Sequence, residues 1–64
     1  MSLIMLKYIV GCEYIEYDNN GQFVCENEDP WAGEFTTIED AEAYATELIA
    51  EPDIFKVYIQ TSPS

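Results

Sequence analysis

The stretch TTIEDAEAYATELIAEPDIFKVYIQ, residues 36 to 60, decides the fold class. Thr36 or Thr37 caps a helix, and Glu39 or Asp40, three residues on, completes a capping box. From Ile38 to Ala50 the apolar residues recur at helical spacing. Ile38, Ala41, Tyr44, Ala45, Leu48 and Ile49 share one side, while Glu39, Asp40, Glu42, Ala43, Thr46, Glu47 and Ala50 share the other. Pro52 stops the helix. The period then changes to two: Phe55, Val57 and Ile59 fall on one face of a strand over 54–60, and Lys56, Tyr58 and Gln60 on the other.

Upstream, LIMLKYIVGCEYIEY (residues 3–17) is rich in β-branched and aromatic residues and has no Pro. It reads as one long strand, or as two segments bent at Gly11. Asp18-Asn19-Asn20-Gly21 is a hairpin turn, since each residue tolerates positive φ or bonds its own backbone. Gln22 to Glu26 pairs back antiparallel. With an even-length loop, Cys12, Tyr14, Phe23 and Cys25 share one face, and Ile9, Ile15, Tyr17 and Val24 the other. Residues 27 to 36, NEDPWAGEFT, read as a loop broken by Pro30 and Gly33. The Thr-Ser-Pro-Ser tail should fray. The order β-β-α-β over residues 1–64 gives a single α+β domain: a small antiparallel three-stranded sheet with one helix packed on a face.

Charge narrows the function. Thirteen Asp and Glu face two lysines, with no Arg and no His, for a net charge of −11. Self-repulsion at this density opposes a compact state, yet the chain is 48% hydrophobic and has five Tyr and three Phe to build a core. Two isolated lysines cannot neutralise phosphates or an anionic membrane, so no direct contact with nucleic acid or membrane is expected. The expected partner is a basic nucleic-acid-binding protein. A core this small suits either a monomer or a homodimer.

Catalysis is not expected. There is no His to titrate near neutrality and no Arg to clamp a phosphate. Among thirteen acids, pairs of carboxylates arise without meaning. No cofactor and no metal site is expected. Counted from Asp18, the sixth and twelfth positions of a calcium loop would be Phe23 and Asp29 instead of Gly and Glu. Residues 1–10 read as a strand and not as a leader, which places the chain in the cytoplasm. Cys12 and Cys25 are then two reduced, buried thiols behaving as small apolar residues.

The carboxylates cluster. Glu13, Glu16 and Asp18 lie along the end of the first strand. Glu26, Glu28 and Asp29 run from the second strand into the following segment, which ends with Glu34, and one register brings Glu13 near Glu26. Trp31, among these acids, is either a loop-anchoring aromatic or an exposed anchor in a charged rim. The helix adds Glu39 and Glu42, on turns about 5–6 Å apart. Glu39 and Asp40 also suit a helix N-terminus without any partner. A row of such groups on a rigid scaffold imitates a nucleic-acid backbone and attracts a Lys/Arg groove. The candidate partner-binding residues are therefore Glu13, Glu16, Asp18, Glu26, Glu28, Asp29, Trp31, Glu34, Glu39 and Glu42.

In length, acidity, β-β-α-β order and lack of catalytic equipment, the chain resembles the small phage anti-CRISPR proteins that inhibit type I surveillance complexes by imitating DNA. That resemblance implies a stoichiometric inhibitor that blocks PAM or target-DNA recognition by a Cas effector subunit. More locally, Tyr14 to Val24, Asp29-Pro30-Trp31-Ala32-Gly33 and Thr37-Ile38-Glu39-Asp40-Ala41 resemble the N-terminal part of HicB-type antitoxins. Those have a Gly-containing hairpin, a Pro…Gly loop and a Thr-x-x-Glu-Ala helix start. The alternative it implies is a toxin-binding antitoxin or another small regulatory module. No separate DNA-binding segment follows the fold, so autoregulation is not implied.

Overall fold

A computed structural model describes residues 5–63. The chain runs β1 (Leu6–Tyr17), β2 (Phe23–Phe35), α1 (Ile38–Ile49) and β3 (Ile54–Pro63). The strands form one antiparallel sheet in the order β2-β1-β3, and α1 packs on one face. This is the expected α+β arrangement. Residues 3 and 4 of the expected first strand, and Ser64 of the tail, lie outside the described residues.

The hairpin turn follows from its side chains. Asp18 Oδ1 accepts from the Asn20 and Gln22 N–H groups, each at 2.9 Å. Gly21 takes φ 78°, a conformation a Cβ would strain. β1 is one continuous strand through Gly11, which pairs in register with Tyr58 on β3.

Three expectations are overturned. Residues 27 to 35 are not a loop; they extend β2 by pairing with β1 from Asn27 opposite Tyr14 to Phe35 opposite Tyr8. Pro30 is tolerated because β2 is an edge strand and the proline sits in an irregularity: Val10 pairs with Gly33 and Cys12 with Asp29, so Pro30, Trp31 and Ala32 stand opposite Gly11 alone. The Trp31 N–H, turned out of the ladder, donates to Asp29 Oδ1 at 3.1 Å. The tail does not fray, since residues 61–63 pair with the start of β1 and carry β3 to Pro63. The expected face sets also change, because a second irregularity at Val24 puts Phe23 opposite Tyr17 while Cys25 stands opposite Glu16.

Thr37 is the N-cap, its hydroxyl accepting from the Asp40 N–H at 3.3 Å. The helix lies on the face carrying Val10, Gly33 and Phe35. The Tyr44 ring stands 5.2 Å from that of Phe35, and its hydroxyl donates to the Ala32 carbonyl at 3.2 Å. Among the described residues the buried apolar side chains are Ile9, Val10, Cys12 and Ala41. The helix's apolar side overhangs a narrow sheet, which leaves Ile38 and Ile49 exposed.

The molecule is long and thin, 57 × 18 × 13 Å, with a radius of gyration of 14.5 Å, against about 11 Å for a compact chain of this length. Part of that length is hairpin. β3 begins opposite Tyr14, so the ribbon beyond Ile15 has two strands, and residues 16–24 are all exposed.

Candidate partner-binding surface

The extension of β2 decides where the acids stand. Glu26, Glu28, Asp29, Trp31 and Glu34 all lie exposed along one extended edge strand. Opposite residues on paired strands share a face. Glu26 opposite Ile15, Glu28 opposite Glu13 and Glu34 opposite Ile9 therefore form a file on the face away from the helix. Alternate strand residues repeat every ~6.8 Å, close to two steps of the ~3.4 Å charge spacing along one DNA strand. Glu34 continues the file about four steps beyond Glu28. Trp31 stands between them, 57% exposed, on the irregularity shaped by Asp29.

The expected neighbour of Glu13 is corrected: it is Glu28, not Glu26, because the ladder is offset by two residues. The like charges tolerate this because each has another partner. Lys56 reaches Glu13 at 3.2 Å, and the Tyr58 hydroxyl donates to Glu28 Oε2 at 2.7 Å. Lys7 reaches Glu34 at 2.9 Å. Both lysines of the chain thus serve this face. These exposed pairs are worth little in stability, but they fix the direction in which the carboxylates point.

Tyr58 reaches Glu28 by crossing Gly11. A Cβ at Gly11 would fall 2.5 Å from the tyrosine ring, so the glycine is what lets the strap close over the central strand. The hydrogen bond to Glu28, with desolvation and the surrounding carboxylates, pushes the Tyr58 hydroxyl up to about 12. Its stabilising contribution is complete below the ordinary tyrosine range near 10 and is lost as pH rises through about 12. An absorbance titration at alkaline pH should show one late tyrosine step, absent in Tyr58→Phe. A titration without that step would show that the strap does not form in solution.

The remaining candidates lie elsewhere. Asp18 is engaged in the turn. Glu16 is on the exposed ribbon opposite Cys25, whose thiol contacts its Oε2 at 3.6 Å. Glu39 and Glu42 are exposed on α1, with Asp40 and Glu47, and Glu51 is exposed just beyond its end. That helical bank is on the other side of the sheet from the Glu26–Glu28–Glu34 file, so the ten candidates do not form one surface. Cys12 and Cys25 are free thiols; Cys12 is buried as expected, but Cys25, on the two-stranded ribbon, is only half-buried. They lie about four residues apart along the ladder, roughly 13 Å, too far for a disulfide. Burial and the Asp29 carboxylate push the Cys12 thiol upward.

Sequence reading missed Tyr58 and the ladder offset. Gly11 in a strand was a visible sign of close approach, but nothing local named its partner. Among the described residues no cluster of three metal-ligating side chains occurs, and no helix is long and apolar enough to cross a membrane. No protein-family model, curated protein or solved structure matches the chain, so the functional reading rests on its residues.

Proposed function

We propose that this chain is a stoichiometric protein inhibitor that binds a basic nucleic-acid-binding protein by imitating DNA. Its proposed target is a type I Cas effector complex, in which it blocks recognition of the PAM or target duplex. The observation that supports this is the file of exposed carboxylates Glu26, Glu28 and Glu34 on a β2 edge strand, with exposed Trp31 between them. Strand pairing holds the charges at fixed spacing. A basic groove therefore meets them without ordering a flexible acidic tail, and long-range attraction speeds the encounter.

The test is competition. A purified type I effector complex is incubated with a labelled PAM-bearing duplex, and the chain is titrated in. Displacement at near-stoichiometric ratio, weakening steeply as salt rises, is the expected result. Binding to the complex with no loss of the duplex would rule out imitation of DNA. Failure to bind that complex, alongside capture of a toxin, would favour the antitoxin-like module instead.

A further inference from the structure

We infer that the free edge of β3, together with the apolar cleft between it and α1, receives an extended basic segment of a partner protein as a fourth strand. The site is on the opposite edge of the sheet from the β2 file and does not depend on that file's function.

The two sheet edges are unlike. β2 is interrupted at Pro30 to Ala32, which breaks any regular ladder on its outer side. β3 pairs only with β1 among the described residues, and from residue 57 to 61 it has no Pro, Gly or charge. Its outward backbone groups are a template for another strand. Edge strands are commonly protected by lysines, but the lone Lys56 is drawn onto Glu13 at 3.2 Å.

Beside this edge lies a cleft of about 410 Å³ lined by Ala45, Thr46, Ile49, Val57, Tyr58 and Ile59. Ile49 remains 46% exposed there. An added strand would place alternate side chains over this cleft, so those side chains should be apolar.

Charge selects the occupant. Glu42 stands one helical turn before Thr46, whose hydroxyl donates to the Glu42 carbonyl at 2.9 Å. Asp53 immediately precedes the start of β3. In chain position an acid thus flanks the cleft residues on each element, Glu42 on α1 and Asp53 before β3, and α1 carries no cation. A second copy of the chain would bring another net charge of −11 to the same edge, which like-charge repulsion opposes. A segment alternating apolar and basic residues meets both requirements.

The probe is a fluorescent peptide of alternating Val and Lys, as long as β3, with binding followed by anisotropy at physiological salt. The peptide should bind and slow amide exchange along β3. A Ser/Lys peptide of equal charge should bind about tenfold more weakly or worse, because it leaves the cleft unfilled. Ile49→Glu should also weaken the Val/Lys peptide by about tenfold or more, by placing a charge in the apolar cleft. Thr46→Arg, at an exposed position, gives a second variant whose fold is checked by circular dichroism. Equal binding of the two peptides, or undiminished binding to both folded variants, would overturn the inference. So would a dimer in sedimentation that Ile49→Glu dissolves, since the edge would then belong to a second copy.

Discussion

On the proposed function, the double variant Trp31→Ala, Glu26→Lys should bind the effector complex roughly 10²–10⁴-fold more weakly while keeping its fold. Trp31 offers a large, exposed aromatic surface in the middle of a charged file. Truncating an interface anchor of this kind costs about 2–4 kcal/mol. Reversing Glu26 removes one attraction and adds one repulsion, together about 1–2 kcal/mol against a basic groove. Neither side chain makes a hydrogen bond or ion pair among the described residues, so the scaffold has no reason to respond. The measurement is affinity at two salt concentrations, with circular dichroism as the control; unchanged affinity would remove the β2 edge from the binding surface. Glu28 and Asp29 are poorer choices for reversal. Glu28 holds the Tyr58 strap and Asp29 shapes the Trp31 irregularity, so loss of binding in Glu28→Lys or Asp29→Lys would mix recognition with structure.

Gly33→Ala should be the most destabilising single methyl in the molecule. An added Cβ would meet Tyr44 at 2.8 Å and Phe35 at 2.9 Å. Those two rings pack on each other at 5.2 Å, and Tyr44 is tied to Ala32, so neither swings aside without moving the helix from the sheet. Overpacking of this kind costs about 1–3 kcal/mol, a large share of the ~3–10 kcal/mol expected for a chain of this length. At about 4–8 °C per kcal/mol, the melting temperature should fall by roughly 5–20 °C. A fall within a degree of zero would mean that the helix does not press on Gly33. The contrast with Gly11 is instructive: its close neighbour is the far end of the Tyr58 ring, which can rotate away at the cost of the strap alone.

What the sequence revealed and what it hid follow one division. The helix from Ile38, a threonine cap at Thr36 or Thr37, the Asp18–Gly21 turn and the β3 alternation from Lys56 to Gln60 are local signals, and each was readable. Phe55, expected on the face of Val57 and Ile59, falls instead in an irregularity opposite the Glu13–Tyr14 step and is exposed. The second half of β2 was not, because Pro30 and Gly33 are local breakers, and only the length of β1, a distant partner, overrules them. The same holds for the candidate site. Which acids share a face depends on the ladder offset at Pro30–Ala32 and the irregularity at Val24, and no local pattern encodes either. Glu39 and Glu42 were correctly placed on an exposed helical side, yet nothing in their spacing says that this side faces away from the Glu26–Glu28–Glu34 file.

The overhanging ribbon has a consequence for how damage to this protein shows itself. Beyond Ile15 two strands stand without a third, and a lone hairpin is marginal in water. This tip should thus open and close on its own while the three-stranded part stays intact. Substitutions between Glu16 and Val24 should therefore be nearly silent in a thermal melt. Their effect falls on how often the tip is ordered when a partner arrives, so selection for heat resistance would leave this end of the molecule free to drift.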